Sequence, residues 1–236
     1  MFNKPNRALT ACFYTLSVSL LLTACFAKEK EKVLTEETAE PKLPYYNSPD
    51  FKPYWINDAG ELKKTIQHQL GKFSFTNQHN QLITEQAVKG KIHVADFFFT
   101  SCGSICPLMS NQFERLQASF LNDEKVTLLS FSVDPRNDTL ESLQNYASQH
   151  HAKTGKWHLL TGNKKELYTL ARTFYFAEKE EGLNKNPDQF LHTENFILVD
   201  EQGYIRGIYN GTLPEETNRL TKDIYKLERE VRSLVQ

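Results

Sequence analysis

From position 92 to 99 the chain is apolar almost throughout, broken only by His93 and Asp96. A run apolar on both alternating faces predicts a strand buried in the middle of a sheet. Val126–Val133 repeats the pattern and stops at Asp134-Pro135, which predicts a second buried strand. Between them Met109, Phe113, Leu116 and Phe120 recur at helical spacing after Pro107, and that stripe reads as core. Asp138, with Glu141 three residues on, predicts the N-cap of a helix running to about His150. Trp157–Leu160 reads as a short strand, Asn163 with Glu166 as the start of a helix through about Phe174, and Glu178–Gln189 as a polar loop. Phe196–Asp200, the turn Glu201-Gln-Gly203 and Tyr204–Tyr209 predict a β-hairpin. Thr212-Leu-Pro-Glu215 predicts a capping box with proline just inside the last helix. That helix repeats Leu220, Ile224, Leu227, Val231 and Leu234, too few heptads for a coiled coil, so it is expected to dock on the sheet. Ahead of the first long strand, Gly71–Thr76 and Leu82–Val88 read as a strand and a loop leading in. Tyr45, Tyr46, Phe51, Tyr54 and Trp55 read as an aromatic segment packed on the domain. Strands alternating with helices, closed by a hairpin and a helix, predict an α/β sandwich with a central mixed β-sheet flanked by helices.

The N-terminus has a different character. Lys4 and Arg7 precede a charge-free apolar run, Ala8–Leu22, which suits a signal peptide better than a spanning helix. The run ends in Leu22-Thr23-Ala24-Cys25, which resembles the lipobox of bacterial lipoproteins and implies lipidation of Cys25. Residues 1–24 are therefore expected to be a lipoprotein signal peptide, and 25–43, charged and poor in large apolar groups, a flexible tether. About 20 such residues reach roughly 25 Å. Residues 44–236 then make one domain, since 236 residues in all leave little room for two. With 28 basic and 29 acidic residues there is no electrostatic case for a nucleic-acid partner. Removal of the signal peptide also takes away Cys12, leaving Cys25, Cys102 and Cys106.

The chemistry gathers in Asp96-Phe-Phe-Phe-Thr-Ser-Cys102-Gly-Ser-Ile-Cys106-Pro107. Two thiols stand one helical turn apart, on one face, where a strand gives way to a helix. Thiols so placed can close a disulfide or hold one metal ion through two soft sulfurs. A helix N-terminus stabilises a thiolate in either case. Outside the cytosol a thiol pair oxidises unless it is kept reduced, so a disulfide, a maintained dithiol and a metal site all stay open.

The wider pattern is far more specific. Phe98-Phe99-Thr100-Ser101-Cys102 with Cys106-Pro107, then Ser132-Val133-Asp134-Pro135 with Asp138-Thr139, then His192 ahead of Phe196–Asp200, resembles the SCO/SenC family over roughly residues 45–212. The resemblance implies a thioredoxin-like fold, copper binding through Cys102 and Cys106 with His192 as third ligand, a role in cytochrome c oxidase assembly, and an N-terminal membrane or lipid anchor. Two thiolates and an imidazole form a soft set suited to Cu(I), and a fourth ligand or water would complete a Cu(II) site. Zn(II) tolerates the same donors. Gly103 departs from the proline or acidic residue common after the family's first cysteine, but removes no ligand. Asp134 and Asp138 fall in a family-typical loop, where they either support the site from behind or contact a partner; a turn and a helix cap also account for them.

Of the seven histidines, His68, His79, His150 and His151 lie in polar contexts and read as surface, whereas His93 and His158 read as structural. Thioredoxin-type reductases place a proline where Thr193 stands, next to His192, and its replacement favours metal capture. Asp96 lies six residues before Cys102, where thioredoxins carry a buried acid that assists proton transfer. It keeps a rival reading in play, in which Cys102 and Cys106 cycle as a redox-active disulfide. A strand acid paired with a neighbouring lysine or backbone group explains it equally well. The expected protein is thus an extracytoplasmic metallochaperone, lipid-anchored to a bacterial membrane and facing the periplasm or the cell surface. It would pass copper to the copper-A subunit of an oxidase. The alternative is a thiol–disulfide reductase of that subunit's cysteines, served by a thiol reductase partner.

Overall fold

The structure, a computed structural model, describes residues 41–178 and 193–234. At its centre lies β5 (Ile92–Phe98), buried at every position. Its side chains alternate between two cores, as a strand covered on both faces requires. Ile92, Val94 and Phe98 enter one core, and Ala95 and Phe97 the other. Strand β6 (Val126–Ser132) pairs with β5 in parallel register, Ile92 opposite Val126 and Phe98 opposite Ser132. Strand β7 (Trp157–Thr161) continues parallel to β6, and β8 (Asn195–Val199) runs antiparallel on the other side of β5. The nine-stranded mixed sheet is completed by β1 (Tyr45–Tyr46), β2 (Pro53–Tyr54), β3 (Ser74–Asn77), β4 (Leu82–Thr84) and β9 (Ile205–Asn210). The strand order is β2-β1-β9-β8-β5-β6-β7-β3-β4.

The first core is roofed by α2 (Ile105–Ser119), α3 (Leu140–Gln149) and α5 (Pro214–Leu234). The expected stripe Met109, Phe113, Leu116 and Phe120 is buried there with Leu220, Ile224 and Leu227. The last helix therefore docks on the sheet side of the fold, and the Phe120 and Tyr225 rings meet at 4.8 Å. The second core is closed by α4 (Lys164–Thr169), capped by the Asn163 side chain as its sequence predicts. Helix α4 runs into a single π turn over Leu170–Phe174, which drops Tyr175 into the core with its hydroxyl 3.0 Å from His93 Nε2. A short α1 (Ala59–Thr65) closes a small cluster with Ile56, Ile66 and Tyr204.

Several local expectations shift. The first strand of the β3–β4 hairpin starts at Ser74 rather than Gly71, and Leu82–Thr84 is itself a strand. Helix α3 is capped by Thr139, whose hydroxyl accepts the Ser142 N–H, and not by Asp138. Helix α5 begins at Pro214 as expected, but the Thr212 hydroxyl donates to Asn210 Oδ1. Trp55 is 65% exposed, so the N-terminal aromatics divide: Tyr45 and Tyr46 join the sheet edge against β9, and Trp55 does not pack. His68 is not a free surface ring, because Phe174 O lies 2.8 Å from its Nε2 and Phe176 packs against it.

Leu43, the last residue of the expected tether, is buried in the first core. It is held by Arg206, which donates to the carbonyls of Leu43 and Pro44 and is itself paired with Asp200 and Glu230. Glu230 accepts the Leu43 N–H at 2.7 Å, and the guanidinium lies 3.9 Å from the Tyr45 ring centre. Removing a cation from buried carboxylates costs about 3–5 kcal/mol. Arg206→Leu is accordingly expected to lower the urea midpoint by about that free energy with an unchanged m-value; a loss below about 1 kcal/mol would show that this cluster does not secure the segment.

Candidate functional site

The chain leaves β5 at Phe98, whose carbonyl accepts the Val133 N–H, and turns through Phe99–Ser104 into α2. Cys102 lies in this turn and Cys106 in the first turn of the helix. Both are free thiols, Cys102 partly accessible and Cys106 buried. They line an opening of about 360 Å³ whose walls include Phe97, Phe99, Val133 and Thr193. Thr193 is buried there, its Oγ1 accepting the Asn195 N–H. His192, the expected third ligand, lies outside the described residues, as do Cys25 and all but the first residue of the 178–189 loop. Glu178 itself is buried and paired with Arg172 at 2.8 Å. Among the described residues no three His, Cys, Asp or Glu side chains gather closely enough to hold a metal. The described part of the site therefore supplies two sulfurs, and the two thiols are hydrogen-bonded to each other. A soft cation fits that pair, and a third donor has to come from outside the described residues.

The two thiols are electrostatically unlike. Burial works against a Cys102 thiolate, but hydrogen bonds from the Cys106 thiol and from the backbone N–H groups of Cys106, Ser104 and Ile105 outweigh it and hold its pKa below the usual thiol value. These N–H groups are available because Ser104, at the N-cap, makes no side-chain cap. Cys106 is pushed up to about 12 by burial and by its bond to Cys102, with the Asp96 charge adding to the effect. Cys102 is thus the thiol that ionises first, and Cys106 is the one that keeps its proton.

Asp96 is fully buried, close enough to Cys106 for its charge to act on that thiol, and burial raises its pKa to about 7. The Ser130 hydroxyl bonds it, and the Trp157 indole N–H donates to Ser130 Oγ at 2.8 Å. Its Oδ1 has no partner among the described residues. No described lysine is among its partners; a backbone N–H and the Ser130 hydroxyl are, so the reading as a strand acid held by backbone is met in part.

Of the readings open for Asp138, support of the site from behind is the one the geometry bears out, and the helix cap is not. Its Oδ1 accepts the backbone N–H of Thr100 at 2.9 Å and the Thr100 hydroxyl at 2.7 Å, and its Oδ2 accepts the Ser132 hydroxyl. One buried carboxylate thereby ties the loop carrying Cys102 to the end of β6. Two serines, Ser130 and Ser132, on the buried strand β6 were the available signal, since each needs a partner there. Asp134 instead shapes the turn, accepting from Asn137 Nδ2. Of the histidines read as surface, His150 and His151 both meet Glu114 through Nδ1. His93 and His158 are the buried, neutral rings expected of them: burial drops their pKa values to about 3 and about 4.

A mixed sheet between helices, with a Cys-x-x-x-Cys pair where the central strand opens into a helix, defines a thioredoxin-like dithiol protein. The chain belongs to the SCO1/SenC family, whose sequence model matches residues 62–228. The SCO1 protein homolog of Bacillus subtilis is 32% identical over 155 residues, 64% of this chain and 78% of that protein. The crystal structure of a SCO1/SenC family lipoprotein from Bacillus anthracis is 30% identical, covers 68% of this chain and 95% of its own, and superposes with a TM-score of 0.59. BsSco, a cytochrome c oxidase assembly protein described with a disulfide switch, is 30% identical, with coverage of 68% and 93% and a TM-score of 0.56. Copper-bound ScoI from Arabidopsis thaliana is 25% identical, with coverage of 68% and 98% and a TM-score of 0.53.

Two outcomes test the site's supports. Asp138→Asn is expected to cost about 2 kcal/mol and to slow alkylation of Cys102 at neutral pH, whereas Asp134→Asn leaves both unchanged; equal effects would remove the special role of Asp138. Asp96 has a folded pKa above its unfolded value, so it loses stability as pH rises from about 4 through about 7. Asp96→Asn should match the wild type at pH 3 and exceed it at pH 8, by on the order of 4 kcal/mol at most, in urea titrations at the two pH values.

Proposed function

We propose that this protein is a copper metallochaperone, lipid-anchored outside the cytosol through Cys25, that delivers copper to the copper-A site of a cytochrome c oxidase subunit. The observation that carries the reading is the pair of free thiols at one helix start, one of them with a lowered pKa, in a chain of the SCO1/SenC family. The relatives described with copper or with oxidase assembly support it. Cys102 offers its thiolate to the cargo first. Cys106 follows as it gives up its proton, and His192, one residue before the buried Thr193, closes on the pair. Copper is the cargo here, and release proceeds by exchange of these soft ligands for those of the target. Thiol–disulfide exchange with an oxidised dithiol partner, which takes up the two electrons and two protons, closes Cys102 and Cys106 into a disulfide, removes both sulfurs and controls when the site loads.

One observation favours a second activity. Asp96 is buried near Cys106 with an unpartnered oxygen and a pKa of about 7, as suits a base toward that thiol. In that reading Cys102 attacks a disulfide of the oxidase subunit, forming a mixed disulfide and expelling one target thiolate. Cys106 then loses its proton and attacks Cys102, releasing the second target thiol. Two electrons pass to the target, the pair ends as a disulfide, and a thiol reductase partner must restore it.

Anaerobic titration with Cu(I) separates these readings. The wild type is expected to take up one equivalent, His192→Ala to bind at least tenfold more weakly, and Cys102→Ser to lose tight binding. No uptake by the wild type, or unchanged uptake by His192→Ala, overturns the ligand set. Restoration of oxidase activity in cells by His192→Ala, but not by Cys102→Ser, assigns the function to the dithiol chemistry instead.

A further inference from the structure

Each of the three parallel strands is approached through a lysine: Lys91 precedes β5, Lys125 precedes β6 and Lys156 precedes β7. The register sets Ile92 opposite Val126 and Leu128 opposite Trp157, so these lysines stand along one pole of the sheet. With Lys89 and Lys153 they line an open basin of about 720 Å³. Two acids share the lining, Asp123 and Glu124. Asp123 accepts the Lys125 backbone N–H and lies beside Glu228, and its charge acts on Lys156 and Lys125, so it offsets part of the basin's charge and leaves the lysines in excess. Lys156 is the floor, its ammonium donating to the carbonyls of Asp123 and Val126. Lys89, Lys125 and Lys153 are exposed, and Lys91 half so. Their charge is concentrated here in a chain with 28 basic and 29 acidic residues overall. Leu121, 46% exposed, lines the same basin.

We propose that this lysine pole docks on the phosphate headgroups of an anionic lipid bilayer. Lysines spread around a shallow, open basin suit a field of headgroup phosphates better than one enclosed anion, and their flexible stems let the ammonium groups find them. An exposed leucine among lysines is the apolar element that a bilayer surface accepts and a free phosphate does not. Docking there has a geometric consequence. Strand β5 rises seven residues from this pole, roughly 23 Å, before the chain reaches the cysteine loop. The dithiol therefore faces away from the bilayer, open to a partner domain standing above the membrane. The inference takes the membrane location from the proposed function, but the binding itself needs no lipid anchor.

The test is co-sedimentation of unlipidated chain 26–236 with vesicles of phosphatidylglycerol in phosphatidylcholine, against phosphatidylcholine alone. The wild type is expected to bind the anionic vesicles only, and more weakly as salt rises. Neutralising Lys89, Lys125 and Lys153 together to Gln should weaken binding about 100-fold, at about fivefold per lysine. Lys52→Gln with Lys63→Gln and Lys64→Gln, exposed lysines elsewhere, should leave it unchanged. Thermal unfolding by circular dichroism confirms that each variant is folded. Equal binding to both vesicles, no effect of the basin variant, or an equal effect of the control variant overturns the proposal. Competition by inorganic phosphate at concentrations too low to screen charge overturns it too, by assigning the basin to a soluble anion. Copper uptake by the basin variant stays at the wild-type level, so the docking and the metal reading fail separately.

Discussion

The carboxylate of Asp138 accepts hydrogen bonds from the Thr100 backbone, the Thr100 hydroxyl and the Ser132 hydroxyl, and the whole dithiol depends on that arrangement. Strand β5 is held rigidly by two cores, but it ends at Phe98, four residues before Cys102. The turn Phe99–Ser104 that follows has no reason of its own to keep one conformation, because it includes Gly103 and Ser104 and carries only a partly buried thiol. The buried carboxylate supplies the reason. It fixes Thr100 against the end of β6, the neighbouring strand, so the loop inherits the rigidity of the sheet. Cys102 is then presented to the backbone N–H groups at the start of α2, which lower its pKa.

The asymmetry between the thiols follows from the same placement. Cys102 faces the opening and collects donors, whereas Cys106, one turn deeper, loses solvent and gains none that compensates. A symmetric pair of thiolates would repel itself and oxidise readily. A pair with one available thiolate and one retained proton can meet a soft cation or a disulfide with its first sulfur and commit the second only when the proton has somewhere to go. Asp96 lies near Cys106 with one oxygen held by Ser130 and the other unpartnered. The same geometry suits either ligand exchange or electron transfer, which differ in what arrives at Cys102.

The frame of this arrangement was legible in the sequence because hydrophobic periodicity reports burial directly. The α2 stripe keeps one helical period, and two-sided burial of β5 follows from a run that is apolar except at His93 and Asp96. The cysteine spacing showed where two thiols meet but left disulfide, dithiol and metal site open, and only the wider motif pattern pointed to copper. What escaped was polar and long-range. Asp138 and Glu141 satisfy a capping rule three residues apart, yet Thr139 takes the cap because the Asp138 side chain is drawn across to Thr100, thirty-eight positions earlier in the chain. Local rules cannot see that competitor. Trp55 misled for the opposite reason, since an aromatic ring is apolar wherever it sits and only tertiary contact shows that it remains in solvent.

His93 and Asp96 place two ionisable groups on one buried strand, on opposite faces, and each is stable only when neutral. His93, with its pKa dropped to about 3, loses stability as pH falls below about 6.5. Asp96, with its pKa raised to about 7, loses stability as pH rises above about 4. Between those limits the two slopes oppose each other, so the strand is insensitive to pH across mildly acidic conditions. The compensation is one of slope, because both groups still cost stability there. His93 recovers part of its cost through Tyr175. Asp96 is met by the Ser130 hydroxyl and its own backbone N–H while Oδ1 stays without a partner, and an apolar side chain at that position would relieve the fold of a buried, half-satisfied carboxyl group. That half-satisfied carboxyl group is also the one whose charge reaches Cys106, so the cost to the core and the asymmetry of the thiols share one residue.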